Sequence, residues 1–185
     1  MVRAFRSFRA ALMGVGVASA VVLGTALPAA AHVHVDADTT ASGSSALLRF
    51  SFSHGCDGSA TTEIAIAIPD EVESVSPGMN YGWTVEKVAD ESATPAAGDH
   101  GSSAKVTEVV YTAKEPVADG FYDELVLQVR LPEGIEGETL YFPVIQTCEE
   151  GEAAWIEIPT EDEDGEELES PAPSITLTEA EEGGH

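Results

Sequence analysis

The stretch "TTEIAIAIP", from Thr61 to Pro69, alternates apolar residues with small or polar ones. Ile64, Ile66 and Ile68 recur at every second position, which places their side chains on one face of an extended strand. An α-helix would instead repeat its apolar positions about every 3.6 residues. The spacing therefore predicts a β-strand with one face buried in the core.

The same alternation recurs in six other short segments of the chain. They are "ALLRFSF" (46–52), "VTEVVYTA" (106–113), "DELVLQVRLP" (123–132), "TLYFPVIQT" (139–147), "AAWIEIP" (153–159) and "SITLT" (174–178). Stretches rich in Gly, Pro, Asp and Ser separate these segments, and such residues favour turns. Many short strands with frequent turns predict an all-β fold, an antiparallel β-sandwich of immunoglobulin-like or cupredoxin-like type.

The front of the chain has the organisation of a secretory signal peptide. Three arginines precede the uncharged run "AALMGVGVASAVVLGTAL", which is followed by Pro28 and the small residues Ala29 to Ala31. A basic segment, an apolar segment and an A-x-A site are the three parts of such a leader. A transmembrane anchor is the alternative, but the glycines and alanines make the run weakly hydrophobic. We expect residues 1–31 to be removed, so that the mature chain begins at His32 and is exported.

Removal of 31 residues from 185 leaves 154, enough for one domain. We place the β-sandwich at residues 32–178 and a flexible acidic tail at 179–185. The leader carries three arginines and no acidic residue, so its loss lowers the net charge from −25 to about −28. Such a surface makes nucleic acid and anionic lipid poor partners. No second apolar run is long enough to span a membrane.

The run "EDEDGEELE", from Glu161 to Glu169, is also strongly acidic. Its spacing lacks the D-x-[DN]-x-[DN]-G pattern of a calcium-binding loop. We interpret it as a solvated and flexible segment.

Cys56 and Cys148 are the only cysteines of the chain. An even number of cysteines in an exported protein favours a disulfide, which here would close a long loop. The alternative is a pair of thiolate ligands for a soft ion such as Cu(I).

Two of the five histidines, His32 and His34, lie at the predicted mature N-terminus. A terminal histidine offers its α-amine and its imidazole as a chelating pair, which suits Cu(II) because that ion prefers nitrogen donors in a tetragonal arrangement. His34 offers a competing mode, in which the amine, two deprotonated backbone amides and its own imidazole surround one ion in a plane. In a third interpretation both histidines are ordinary polar residues at the start of an edge strand.

Two further residues are candidates for a site. His54 follows a predicted strand and lies next to Cys56, where a histidine that hydrogen-bonds the backbone of a turn is equally typical. Trp155 is flanked by strand residues, and residue chemistry alone assigns it to the core. The chain contains no G-x-S-x-G elbow, phosphate loop or dinucleotide fingerprint, and we expect no catalytic residues and no enzymatic activity.

Seven blocks of the chain, taken in order, resemble the YcnI-like copper-binding domain family. The blocks are "AHVHVD", "FSHGCDGSATTEIAIAIP", "GWTVE", "VTEVVYTA", "YDELVLQVRLP", "GETLYFPVIQTCEEGEAAWIEIP" and "PAPSITL". They cover nearly the whole mature chain. The HGC and QTC motifs within them resemble one branch of the family.

This resemblance implies a secreted or surface-exposed protein that binds Cu(II) through a mono-histidine brace, formed by the amine and imidazole of His32. It also implies that Trp155 lies beside the metal. The acidic ligand of relatives falls at "SHGC" here, so His54 is the candidate replacement. Relatives often begin H-V-T-V, and His34 departs from that pattern. Many relatives end in a membrane-spanning segment that this sequence lacks, which leaves tethering open.

Three functions follow from these observations. The first is storage, buffering or delivery of Cu(II) outside the cytoplasm, with a copper transporter or a second copper chaperone as the partner. The second is a histidine-brace copper monooxygenase acting on polysaccharide, which an aromatic content of 6% disfavours because such enzymes need an aromatic-rich binding face. The third is an adhesion or scaffold domain that binds no metal.

Overall fold

Eleven short β-strands make up the regular structure of the described residues, which are 32–89, 105–160 and 168–180 of a computed structural model. The strands are β1 His34–Ala37, β2 Ser45–Phe52, β3 Thr61–Ala67, β4 Ser74–Pro77, β5 Trp83–Ala89, β6 Val106–Val117, β7 Asp123–Arg130, β8 Thr139–Tyr141, β9 Val144–Cys148, β10 Glu152–Trp155 and β11 Ser174–Thr176. The predicted leader, the acidic run from 161 to 167 and residues 181–185 lie outside the described residues. None of the residues described forms a helix long and apolar enough to cross a membrane.

The strands form two principal antiparallel sheets. One has the order β1-β2-β7-β4 and the other the order β10-β9-β3-β6-β5, while β8 and β11 form a small two-stranded sheet. Inward-facing residues of both principal sheets belong to one buried cluster, which includes Phe50 and Leu127 of the first sheet and Ile64 and Val109 of the second. The architecture is therefore a β-sandwich, and the predicted fold class is confirmed.

The core follows from the alternation in the sequence. Leu48 and Phe50 in β2 and Ile64 and Ile66 in β3 have no exposed surface, while the residues between them are partly exposed. Burial of each such side chain contributes about 1.5–3 kcal/mol. The sandwich is held together by these apolar faces.

Four details of the strand prediction need correction. The segment 139–147 is two strands, because Pro143 has no N–H to continue a ladder and the chain passes there from its pairing with β11 to its pairing with β3. The strand predicted at 153–159 ends at Trp155. Strands β4 and β5 were not predicted, because β4 is four residues long and most of β5 is exposed.

The candidate site lies where the edges of the two sheets meet. β1 is the edge strand of the first sheet and β10 is the edge strand of the second. His32, which precedes β1, contacts Trp155 at the end of β10. The two edge strands are therefore on the same side of the sandwich.

Candidate metal centre

The imidazole of His32 packs against the indole of Trp155. The ring centroids are 5.4 Å apart and the planes are inclined by 79°, which is an edge-to-face contact. Trp155 is only 7% exposed and belongs to the hydrophobic core, as residue chemistry predicts. The same side chain also contacts the imidazole of His32. That Trp155 lies beside a metal, as the family resemblance implies, stays a prediction. The structure therefore brings these two predicted site residues together.

The Nε2 atom of His32 is buried and has no hydrogen-bond partner, and it is the only such side-chain atom among the residues described. A buried polar atom without a partner costs about 1–3 kcal/mol and is rare in folded proteins. Hydrogen bonding within the described structure therefore does not explain why the His32 ring is held in this position. The other ring nitrogen, Nδ1, is the one closer to the backbone nitrogen of the same residue.

His32 and His34 lie on the same side of the chain, with their ring centroids 6.0 Å apart. Val33 between them points into the core and is 3% exposed. This arrangement follows from the extended backbone, in which alternate side chains point to opposite faces. His34 begins β1, where it pairs with Ser51 of β2.

A cleft of about 250 Å³ opens beside these histidines. The residues that line it are His32, His34, Ser51, Phe52, Ser53, His54 and Tyr122. All three predicted histidines therefore face one cleft, and Trp155 supports His32 from the core. No group of three His, Cys, Asp or Glu side chains that could hold a metal ion is found in the described part of the chain.

The HGC motif forms a tight turn after β2. Cys56 and Ser59 exchange two backbone hydrogen bonds, and Asp57 and Gly58 between them both have positive φ, 52° and 86°. An Asp-Gly pair is typical of this turn because both residues tolerate positive φ. Gly55 is required for a different reason, since a Cβ atom there would lie 1.7 Å from the carbonyl oxygen of Ser59.

The carboxylate of Asp119 holds the residues just before this turn. Asp119 Oδ1 accepts a hydrogen bond of 2.9 Å from the Gly55 N–H and lies 3.5 Å from His54 Nδ1. The His54 side chain is 49% exposed, so it faces the cleft and the solvent together. No feature of the sequence indicated Asp119, because it is 65 positions beyond His54 in the loop between β6 and β7.

Gln146, of the QTC motif, connects the segment that carries His54 to Trp155. Its side-chain nitrogen donates hydrogen bonds to the carbonyl oxygen of His54 (2.7 Å) and to the hydroxyl of Thr61 (2.8 Å). Its side-chain oxygen accepts a hydrogen bond of 3.2 Å from the indole N–H of Trp155. With 1% exposure, Gln146 is a buried polar residue whose amide nitrogen and oxygen both have partners. The signal in the sequence was a polar residue at an inward-facing position of a strand.

Cys56 and Cys148 form a disulfide, with their Cα atoms 5.9 Å apart. The predicted disulfide is therefore confirmed, and the thiolate alternative is wrong because neither sulfur carries a free thiol. The bond joins the HGC turn to the end of β9. Cys56 also donates its backbone N–H to the sulfur of Cys148 at 2.9 Å.

Tyr122 closes another side of the cleft. Its hydroxyl donates a hydrogen bond of 2.9 Å to Glu124, and this bond, with a smaller effect of desolvation, raises the pKa of the phenol. The Glu124 carboxylate also lies 3.8 Å from the Arg49 guanidinium. Tyr122 therefore stays protonated at neutral pH and presents a neutral hydroxyl.

A family model described as a domain of unknown function (DUF1775) matches residues 32–177. The chain belongs to the DUF1775 family. YcnI-like proteins belong to the same family. The region matched to DUF1775 begins at His32, the residue that the leader pattern predicts as the first of the mature chain.

Similarity to a solved structure supports an immunoglobulin-like fold for this DUF1775 domain. An uncharacterized protein from Nocardia farcinica with an immunoglobulin-like fold is 27% identical, and the TM-score is 0.62 over 80% of this chain and 98% of that one. A protein from Corynebacterium diphtheriae that is provisionally named as membrane anchored is 11% identical, with a TM-score of 0.44 over 80% of this chain and 34% of that one. The second likeness is too low to support an argument. No match was found among proteins with curated descriptions.

Proposed function

We propose that this DUF1775 domain binds Cu(II) outside the cytoplasm through the α-amine and imidazole of His32, and that it stores, buffers or delivers the ion. The observation that carries the proposal is the state of the His32 ring. It is fixed against Trp155 at the edge of a histidine-lined cleft, with Nε2 buried and no hydrogen-bond partner among the residues described. A ring held in this way serves packing or metal binding. Its other nitrogen, Nδ1, is the one that can close a chelate ring with the α-amine of the same residue.

The chemistry of the donors fits this ion. The α-amine and Nδ1 of one histidine belong to the same residue, so they can close a small chelate ring, whereas Nε2 lies on the far side of the imidazole. Nitrogen donors in a tetragonal arrangement suit Cu(II). The described side chains contain no three-ligand cluster, and the proposal therefore includes a donor that is not a side chain. The amine of a mature N-terminal His32 is that donor.

His54 is the proposed further ligand. It lines the same cleft as His32 and carries a second imidazole. His34 also lines the cleft and stands as an alternative third donor.

The planar mode at His34 is disfavoured by the structure of β1. That mode requires the backbone of residues 32–34 to wrap around the ion. Val33 would then leave the core, where it is 3% exposed, and His34 would lose its register with Ser51. Exposure of one such side chain costs about 1.5–3 kcal/mol. The fold therefore supports the amine and imidazole of His32 over the planar mode.

Two properties of the molecule support an extracytoplasmic role in copper handling. Disulfides form and persist in oxidising compartments, and Cys56 and Cys148 are joined. A net charge of −25 attracts cations to the surface. We propose a copper transporter or a second copper chaperone as the partner, and binding without catalysis as the activity.

The test compares two forms of the protein that differ at the N-terminus. One begins at His32, and the other carries one additional alanine before it. We expect the first to bind Cu(II) much more tightly in competition with a chelator, because the added residue removes the amine from His32 while leaving its imidazole. A His32→Ala variant that begins at the same position keeps the amine and His34 but lacks the His32 imidazole, so it measures how tightly the planar mode at His34 binds by itself. Equal affinity of the His32 form and the extended form would contradict the proposal.

A further inference from the structure

Asp119 holds the segment that carries His54. Its Oδ1 atom lies 3.5 Å from His54 Nδ1 and accepts the Gly55 N–H at 2.9 Å. The two side chains are partly exposed, at 38% for Asp119 and 49% for His54. The contact therefore contributes little to stability, since exposed ion pairs are worth about 0–1 kcal/mol.

The backbone fixes the position of Asp119. The Phe121 N–H donates to the Ala118 carbonyl at 3.2 Å, and Gly120 between them has a φ of 83°. This is the conformation of a turn that requires glycine at its third position. The Gly120 N–H also donates to the carbonyl of Ser53 at 3.0 Å. The loop that carries Asp119 is thus tied to the residues on both sides of His54.

A carboxylate that faces one ring nitrogen determines which nitrogen of a neutral histidine carries the proton. Because Asp119 faces Nδ1, the proton is favoured there, and the lone pair of the ring is then on Nε2. Metal-binding histidines commonly direct their other N–H at a carboxylate in this way, which fixes the tautomer and makes the ligand more basic.

We propose that Asp119 is a positioning residue that presents Nε2 of His54 to a copper ion in the cleft. This inference rests on the proposed function. It adds to the candidate site a carboxylate that orients the His54 imidazole. In this role Asp119 is not a copper ligand.

The first test needs no metal. In the metal-free protein at about pH 8, the ¹⁵N chemical shifts of His54 report its tautomer. We expect the form protonated at Nδ1 to predominate, and we expect Asp119→Asn to move the population towards the form protonated at Nε2. Asparagine keeps the oxygen that accepts the Gly55 N–H and faces His54 Nδ1, so the loop keeps its position. That oxygen no longer carries a negative charge, so it favours the proton on Nδ1 less strongly. A wild-type His54 protonated mainly at Nε2 would overturn the inference.

The second test measures Cu(II) alone, in the form that begins at His32. Asp119→Asn should weaken binding by roughly 10- to 100-fold, as is typical when such a carboxylate is lost. Asp57→Asn removes the same charge from the neighbouring turn, and it should change affinity by less than about 2-fold because exposed charges act weakly. An equal loss in both variants would mean that only the net charge matters, and the inference would be wrong.

A double-mutant cycle with His54→Ala identifies the route of the effect. In the His54→Ala background, Asp119→Asn should cause no further loss of affinity. A full further loss would show that Asp119 does not act through His54. If the wild-type form binds no Cu(II), the proposed function fails together with the inference. If wild type binds tightly and Asp119→Asn is unchanged, only the inference fails.

Discussion

The side-chain amide of Gln146 makes three hydrogen bonds inside the protein. Two of the partners, His54 and Trp155, are residues of the candidate site. Because a buried amide loses its hydration, each of these hydrogen bonds must be made within the protein. Gln146 therefore fixes the distance between the HGC turn and the tryptophan.

Replacement of Gln146 by leucine should lower the free energy of unfolding by about 1–3 kcal/mol. Leucine has a similar size, but it leaves the Trp155 N–H and the Thr61 hydroxyl without this partner. Urea denaturation measures the change. Gln128→Leu is the matched control, since Gln128 is exposed on β7, and there the change should stay within about 0.5 kcal/mol. Equal effects of the two substitutions would contradict this role of Gln146.

Gly55 gives a second prediction at the residue scale. In Gly55→Ala the new Cβ would lie 1.7 Å from the Ser59 carbonyl oxygen, so the turn must move. At Gly58 a Cβ meets nothing within 4 Å, and only its φ of 86° opposes alanine. That conformation costs about 1–2 kcal/mol for a residue other than glycine. Gly55→Ala should therefore be the more destabilising substitution when the two melting temperatures are compared. A Gly55→Ala variant at least as stable as Gly58→Ala would contradict this account.

The sequence predicted individual candidate site residues better than the partners that the structure gives them. His32, His54 and Trp155 could be named from the leader, the motifs and the resemblance. Asp119 and Gln146 could not be assigned a role, because each acts on a residue distant in the chain, and only the packed strands bring them together. A polar residue at an inward-facing strand position was the one local indication, and it pointed to Gln146.

At the scale of elements, β1 bears on which of the two proposed copper modes the fold favours. It pairs with β2 from His34 to Ala37, and Val33 just before it is in the core. His34→Thr removes the imidazole and introduces a β-branched residue that suits this strand. We expect the Cu(II) paramagnetic resonance spectrum of the mature form to keep its principal features in this variant. A peptide of residues 32–36, which has no sheet to hold it, is the reference for the planar mode. A wild-type spectrum that matches the peptide would contradict the expectation.

Tyr111 connects the two principal sheets. It lies in β6, and its hydroxyl is 3.1 Å from the carbonyl oxygens of Gly78, after β4, and Val126, in β7. Burial raises the pKa of Tyr111 to about 12, although the hydrogen bond to Gly78 opposes the rise. The hydroxyl therefore stays protonated and continues to donate when exposed tyrosines have already ionised.

The raised pKa of Tyr111 predicts a loss of stability in alkali. In the unfolded chain this phenol ionises near its ordinary pKa of 10.0, whereas in the folded protein it ionises near 12. Its contribution is fully present below pH 10 and is lost as the pH rises towards about 12. The free energy of unfolding should fall across this window, and the fall should be smaller in Tyr111→Phe. An identical slope in both proteins would contradict the assignment.

Alternation predicted the buried strands but not the edges of the sheets. β2, β3 and β7 each have one buried face, so apolar residues recur at every second position along them. β5 is an edge strand and most of its residues are exposed, which removes the apolar period. The pairing order could not be predicted, because alternation identifies a buried face but not the neighbouring strand.

At the scale of the whole molecule, one covalent link joins distant parts of the chain. Cys56 and Cys148 are 92 positions apart, and the residue paired with Cys148 is Thr61, just after the HGC turn. The disulfide therefore closes a loop that contains four of the five strands of the second principal sheet and two of the four strands of the first. Its loss should increase the entropy of the unfolded chain more than it changes the folded one.

The double variant Cys56→Ala, Cys148→Ala should lower the free energy of unfolding by roughly 4–5 kcal/mol in the chain-entropy model. Alanine suits both positions because they are buried, with 8% and 6% exposure. Guanidinium denaturation of the variant and of the oxidised wild type measures the difference. Reduced wild type is the control, and it should resemble the variant, because the loop is open in both. A difference below about 1 kcal/mol would contradict this entropic account. The main effect of the disulfide would then be local, on the turn that Cys56 begins.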